Sequence, residues 1–143
     1  MRAAALLVLF SALFFSLPAI ADDSATCPAK VNVHQQLAAQ VTGWSSMLDD
    51  APNQLAGITF YDGPPQEKAS LVYDDITRAA GKQIAKWSFA PHAQRPIWIA
   101  CSYSGTSVVL AKALPANVTG CTVTYDAHQQ IAGLPIIMKI ACK

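Results

Sequence analysis

The chain has 143 residues, of which 52% are hydrophobic and only 13% are charged, and its formal net charge is +1. This length is typical of one domain, and the near-neutral balance argues against a nucleic-acid binder, which would carry a basic surface.

The first residues have the three parts of a secretory signal peptide. A positive start at Arg2 is followed by an apolar run at residues 3–17 and by an A-x-A cleavage site at residues 19–21. The run is shorter than the roughly 20 apolar residues that span a bilayer, so we expect removal of residues 1–21 rather than a membrane anchor. Removal of the signal peptide takes away Arg2, one of ten basic residues. The nine that are left balance the nine acidic residues, so the formal charge of the mature chain is zero. These features predict a periplasmic protein with a single domain at residues 22–143.

The first half of the mature chain predicts short elements. Residues 35–48 have apolar side chains near helical spacing, although a Thr-Gly pair interrupts the pattern. Residues 55–61 predict a strand that stops at a turn with two prolines. Shorter strands are predicted at residues 69–73 and 85–90, and residues 74–82 suit one or two helical turns. Little helix is therefore expected.

The second half predicts four strands, at residues 97–103, 107–113, 120–125 and 136–142. The first two form a hairpin, because two β-prone runs flank a turn with a central glycine. A loop at residues 126–133 separates the last two. We therefore expect a mainly β fold with an antiparallel meander of four strands, arranged as a sandwich or an open barrel and stapled by two disulfides.

All four cysteines, Cys27, Cys101, Cys121 and Cys142, follow the predicted signal peptide. In an exported chain an even number indicates a disulfide framework, and no C-x-x-C pair indicates redox chemistry or zinc. Three pairings are possible. Cys101 with Cys121 is disfavoured, because a meander would place these residues two strands, about 9.6 Å, apart, beyond the limit of about 7 Å for a bridge. We prefer Cys27 with Cys101 and Cys121 with Cys142.

Residue types that carry catalysis are sparse. The histidines, His34, His92 and His128, lie in polar stretches with no nucleophile motif beside them. Glu67 is the only glutamate, whereas a glycosidase needs two positioned carboxylates. The sequence predicts a protein that is not an enzyme and that has no catalytic residue, metal or cofactor.

Two turns are candidate binding sites. One comprises Tyr61, Asp62, Gly63, Pro64 and Pro65, and the other comprises Ser104, Gly105 and Thr106. Both are expected to be exposed on a rigid sheet, where loops commonly carry recognition, although both also suit plain connections between strands. An aromatic residue beside a proline-stiffened loop loses little entropy on docking.

The tryptophans, Trp44, Trp87 and Trp98, lie in segments with an apolar pattern. We therefore expect them in the core rather than at a partner.

Several segments together resemble a known family. They are Trp44, residues 61–65, residues 69–71, Trp87, the W-I-A-C-S-Y-S-G-T run at residues 98–106, Leu114 with Pro115, and C-T-V-T-Y at residues 121–125. In this order they resemble small secreted proteobacterial proteins, among them periplasmic immunity proteins against type VI secretion amidase effectors of the second family. The resemblance covers nearly all of the mature chain. It implies a protein that binds a peptidoglycan-cleaving amidase and blocks its catalytic cysteine and histidine.

An alternative function stays open at this point. The same small, stapled chain also suits a module without enzymatic activity that binds an envelope component such as peptidoglycan, or a host lysozyme. Neither function involves nucleic acid or a stable membrane anchor. The sequence does not fix the oligomeric state, and the resemblance assigns no binding residue.

Overall fold

The computed structural model describes residues 26–48, 51–90 and 95–143. The predicted signal peptide, its cleavage site, the start of the mature chain and His92 lie outside these residues. No helix in the described part of the chain is long and apolar enough to cross a membrane.

The described ranges contain nine strands. In chain order these are β1 (Lys30–Val31), β2 (Asn53–Asp62), β3 (Ser70–Leu71), β4 (Asp75–Ala79), β5 (Lys82–Ser88), β6 (Ile97–Tyr103), β7 (Val109–Ala113), β8 (Gly120–Ile131) and β9 (Leu134–Cys142). A 3-10 turn, Pro65–Glu67, follows β2. The predicted mainly β fold with antiparallel pairing is confirmed.

The larger sheet has β2 and β6 at its centre. Its strand order is β1-β2-β6-β7, and β3 also pairs with β2. Because β6 occupies one side of β2, the short strands β1 and β3 share the other side, one at each end of β2. The register of β2 and β6 runs from Leu55 opposite Tyr103 to Asp62 opposite Ile97. The start of each central strand therefore lies beside the end of the other.

The smaller sheet consists of two hairpins in the order β4-β5-β8-β9. Two residues close each hairpin, Ala80 with Gly81 and Ala132 with Gly133. All four have positive φ, at 49° and 74° in the first turn and 50° and 80° in the second. Positive φ at both central residues is the type I′ geometry, whose twist matches that of the flanking strands.

The two sheets share one hydrophobic core. Phe60 and Ile99 of the larger sheet and Val123 of the smaller sheet are fully buried. The ring of Phe60 lies 5.0 Å from that of Trp87 and 5.5 Å from that of Phe89, in tilted arrangements. These aromatic contacts join the sheets into a sandwich, and they confirm the predicted core position of Trp87.

Both preferred disulfides are present. Cys27 pairs with Cys101 over a Cα distance of 5.8 Å and ties the chain ahead of β1 to the centre of the larger sheet. Cys121 pairs with Cys142, which lies directly opposite it in the register of β8 and β9. The preferred pairing is confirmed, although the expected meander is wrong. Cys101 and Cys121 do not pair with each other, and they belong to different sheets.

The four-stranded meander fails at the link between β7 and β8. Leu114, which follows β7, is buried in the shared core, and Val118 donates a backbone hydrogen bond to Pro115 in the turn that follows. The chain thereby crosses from one sheet to the other. Consecutive strands without a tight hairpin turn between them need not be neighbours, and here they are not.

Three local predictions are also wrong. Residues 126–133 are not a loop, because β8 and β9 continue to the turn at Ala132 and Gly133. Their polar side chains resemble a loop because this end of the hairpin is largely exposed. Residues 74–82 form β4 and its hairpin turn instead of helical turns, and residues 35–48 have no helix.

Candidate interaction surface

The two predicted binding turns lie at opposite ends of the larger sheet. The 61–65 turn ends β2 beside the start of β6, whereas the 104–106 turn follows β6 beside the start of β2. The seven residues of β6 separate them by about 20 Å at the usual rise per residue. The structure therefore does not combine them into one site.

The 61–65 turn is held closely by its neighbours. The Gly63 N–H donates to the Pro96 carbonyl over 3.1 Å, and Gly63 is buried with φ of 94°. A side chain there would collide with the guanidinium of Arg95. Arg95 in turn pairs with Glu67, whose hydrogen bond raises the pKa of the guanidinium. The expectation of an exposed turn is met only in part, because Gly63 is buried beneath Arg95 whereas the other four residues are partly exposed.

The 104–106 turn is joined to the start of β2 by hydrogen bonds. The Asn53 side-chain amide donates to the Ser104 carbonyl over 2.7 Å, and the Gln54 N–H donates to the Ser104 hydroxyl over 3.2 Å. The side chain of Gln35 donates to the Gly105 carbonyl over 3.0 Å. Gly105 itself is exposed with φ of 72°. This turn therefore links the sandwich to the residues that precede β2.

Residues 32–48, here called the apolar segment, expose most of their large apolar side chains. Trp44 is 77% exposed and Met47 is 93% exposed. Leu37, Val41 and Leu48 are also exposed. The segment has no regular secondary structure and contains no Asp, Glu, Lys or Arg. The predicted core position of Trp44 is therefore wrong, and the side chain is available to a partner.

A cleft of about 480 Å³ lies between the apolar segment and the 104–106 turn. Its lining consists of Asn32, Val33, His34, Gln35, Met47, Leu48, Ala51, Asn53 and Gly105. The lining combines apolar side chains with amide donors and acceptors. Such a mixture is typical of surfaces that bind proteins or peptides through an apolar centre and a few hydrogen bonds.

Sequence reasoning missed the apolar segment as a surface. The spacing of Leu37, Val41, Trp44 and Leu48 matches one face of a helix, which favours burial of that face. The segment has no charged residue for the opposite face, however, and Gly43 adopts φ of 81°. A lack of charge on the expected solvent side was the signal that could have argued against an amphipathic helix.

The third tryptophan takes an intermediate position. Trp98 lies on the face of β6 that points away from Ile99 and is partly buried. Its indole nitrogen is inaccessible and has no hydrogen-bond partner among the described residues. The predicted core position is thus only partly met.

The two histidines in the described ranges lie on the surface. His34 and His128 are both exposed, and His34 lines the cleft. Within residues 26–48, 51–90 and 95–143, no group of three His, Cys, Asp or Glu side chains could hold a metal ion.

Comparison with known proteins relates this framework to a family. The family model for the type VI secretion system Tli immunity protein matches residues 50–143. The chain belongs to this immunity protein family. A protein of Azospirillum brasilense, named an uncharacterized 16.3 kDa protein in the trpG 5′ region, is 30% identical over 115 residues, which is 76% of this chain and 75% of that relative. No solved structure matches the chain.

The family match confirms the predicted relation to type VI secretion immunity proteins. It includes β2 to β9 and therefore both predicted turns, the smaller sheet and the larger sheet apart from β1. The apolar segment precedes the matched residues. The matched residues thus form most of the sandwich, whereas Cys27, β1 and the apolar segment precede them.

Proposed function

We propose that this chain is a periplasmic immunity protein that binds one type VI secretion effector and blocks its activity, without being an enzyme itself. The observation that carries the proposal is the family match over residues 50–143. The predicted signal peptide and the two disulfides support a location outside the cytosol, because such bonds persist in oxidising compartments. An effector that enters the envelope would meet its inhibitor there.

The effector that we propose is a peptidoglycan amidase. Its support is the resemblance of the quoted tryptophan, cysteine and turn segments to amidase immunity proteins. Inhibition would follow from covering the catalytic cysteine and histidine of the amidase with a protein surface. A rigid partner suits this role, because little conformational entropy is lost when a stapled scaffold docks.

We place the contact at the end of the sandwich that carries the cleft. Trp44 and Met47 are the most accessible large side chains of the apolar segment. Aromatic residues and methionine are enriched at protein interfaces, where a few such side chains supply most of the binding free energy. The 104–106 turn closes the other side of the cleft and would contribute hydrogen bonds through its backbone.

The 61–65 turn stays a second proposed contact. Tyr61 and Asp62 are partly exposed at the far end of β2, beside the exposed Glu67 and Lys68. Alanine at Tyr61 or Asp62 should weaken effector binding without lowering the melting temperature if this end takes part. Unchanged affinity in both variants would restrict the contact to the cleft end.

Survival of the producing bacterium tests the protective function directly. Cells that lack this protein are mixed with sister cells that have active type VI secretion, with and without expression of the exported chain. We expect loss of survival without the chain and full rescue with it. Equal survival in all cultures would contradict the immunity function.

Capture of the effector tests its chemistry. The mature chain, tagged ahead of the first described residue, is used to purify its partner from the same cells, and the partner is assayed on isolated peptidoglycan. We expect a one-to-one complex whose amidase activity is lost on binding. A partner with a different enzymatic activity would be consistent with the immunity function and would contradict the proposed amidase. Binding to peptidoglycan or lysozyme alone would support the alternative binding module.

A further inference from the structure

The outer edge of β7 is an unpaired sheet edge in the described part of the chain. β7 is the last strand of the larger sheet and pairs only with β6. All five of its residues are exposed. An unpaired strand of this kind offers backbone donors and acceptors to an added strand.

The register identifies which backbone groups point outward. The Leu114 N–H donates to the Ile97 carbonyl, so these two residues form a hydrogen-bonded pair. Hydrogen-bonded and non-hydrogen-bonded pairs alternate in an antiparallel ladder. The backbone N–H and C=O groups of Lys112 and Leu110 therefore also point toward β6. The N–H and C=O groups of the alternate residues therefore point away from β6. These residues are Val109, Ala111 and Ala113.

The other sheet edges carry features that discourage strand addition. β4 contains Asp75 and Arg78, and β9 contains Pro135, Lys139 and shifts in its register with β8. β1 and β3 have two residues each. Charges, prolines, irregular pairing and short length are the usual protections of edges.

β7 has few of these protections. Its sequence is V-L-A-K-A, and its pairing with β6 runs without a shift. Lys112 is the one charged residue of the strand. Among the described residues, nothing apart from Lys112 in the composition of β7 or in its pairing with β6 protects this edge.

A hollow beside β7 adds a place for a side chain. It measures about 230 Å³ and is lined by Thr26, Pro28, Cys101, Leu110, Ala111 and Lys112. In strand addition the main chain supplies the hydrogen bonds, while pockets for alternate side chains supply specificity. An apolar side chain suits the part of this hollow near Pro28 and Leu110, and an acidic side chain would complement Lys112.

We propose that β7 receives an extended segment of the effector as an additional strand of the larger sheet. The inference rests on the proposed immunity function. The segment pairs with the outward backbone groups of Val109, Ala111 and Ala113, and it carries an apolar side chain for the hollow and an acidic one near Lys112. The 104–106 turn leads directly into β7, so this edge continues the proposed contact surface around the cleft.

Proline at position 111 tests the edge in living cells. Ala111→Pro removes an outward N–H and leaves the bonds of Leu110 and Lys112 to β6 in place. The matched control is Arg78→Pro, because Arg78 lies one residue before the closing pair of its hairpin and its N–H also points outward from an edge strand. In the sister-cell assay we expect Ala111→Pro to lose protection and Arg78→Pro to keep it.

The outcomes separate this inference from the proposed function. Failure of the unaltered chain to protect would contradict immunity, and strand addition would fall with it. Protection by a folded Ala111→Pro equal to that of the unaltered chain would overturn strand addition alone. If Ala111→Pro does not fold, Lys112→Glu replaces it as the test. We expect that charge reversal to weaken binding of the captured effector by about tenfold, and unchanged affinity would count against the proposal.

Hydrogen exchange of single amides gives the second readout. In the free chain we expect fast exchange at Val109, Ala111 and Ala113 and slower exchange at Leu110 and Lys112, which bond to β6. Binding of the effector captured by the tagged chain should slow the first three by at least about tenfold. A complex that leaves them fast would overturn the proposal. Slow exchange in the concentrated free chain would also overturn it, because a second copy would then occupy the edge.

Discussion

The sandwich and the apolar segment use apolar residues in opposite ways. In the sandwich Phe60, Ile99 and Val123 are fully removed from solvent, and two disulfides hold the strands. In the apolar segment Trp44 and Met47 face solvent without regular secondary structure around them. Buried side chains stabilise the fold, whereas exposed ones of this size are available for a partner. The comparison separates the part that folds from the part that we propose to recognise the effector.

Loss of the Cys27–Cys101 bond should have the largest effect on the sandwich. This bond links residues 74 apart in sequence, against 21 for Cys121–Cys142. In the chain-entropy account, alanine at both Cys27 and Cys101 should cost about 4.5 kcal/mol, and alanine at both Cys121 and Cys142 about 3.4 kcal/mol. Urea unfolding of the two variants measures the difference. A larger loss for Cys121–Cys142 would show that strain or residual structure outweighs loop length.

A cavity in the core should have the next largest effect. Ile99→Ala removes apolar volume from a fully buried position and should lower the free energy of unfolding by about 3 kcal/mol. The matched control is Val72→Ala, because Val72 is an exposed apolar residue of the sandwich and should change stability by less than about 0.5 kcal/mol. Similar losses in both variants, measured by urea unfolding, would contradict the assigned core.

Substitutions in the turn between β8 and β9 should have a smaller and purely local effect on stability. Gly133 has φ of 80°, and no atom lies within 4 Å of the position that a Cβ would take. Gly133→Ala should therefore cost about 1 kcal/mol from backbone strain alone. Ala132→Asn should raise stability by several tenths of a kcal/mol, because Asn-Gly suits a type I′ turn. Thermal unfolding of both variants checks the turn type, and a stabilised Gly133→Ala or a destabilised Ala132→Asn would reject it.

The smallest expected effect is an acid dependence at Asp126. The backbone N–H groups of His128 and Gln129 and the Gln129 side chain donate to its carboxylate and lower its pKa. A lowered pKa in the folded chain stabilises the fold above the ordinary pKa of aspartate, and this contribution is lost as the pH falls through the lowered value. Asp126→Asn should flatten the stability profile in that acid range. An unchanged profile would show that these bonds do not persist in solution.

The strands and disulfides were largely predictable, whereas their assignment to sheets was not. The alternation in residues 97–103 and the central glycine at Gly105 specify the hairpin of β6 and β7 locally. Nothing local shows that Leu114 enters the core and carries the chain to the other sheet. That step depends on packing between segments that are distant in sequence.

The candidate surface was predictable only in part. The 104–106 turn was identified because turn residues have a local signature. The exposure of Trp44 was not, because an apolar pattern predicts burial equally well whether the chain or a partner provides the covering surface. The same ambiguity explains why the sequence predicts a helix in the apolar segment and a core position for Trp44, where we propose an interface.

The most direct measurement is the affinity of the captured effector for a chain with serine at both Trp44 and Met47. Titration calorimetry should show binding weakened by at least about thirtyfold, as expected for interface hot spots. The free energy of unfolding should change by less than about 0.5 kcal/mol, because both side chains are exposed. Val72→Ser, which exchanges another exposed apolar residue, should leave the affinity unchanged. Unaltered affinity in the double variant, or a stability loss that matches the weaker binding, would contradict the separation of folding from recognition.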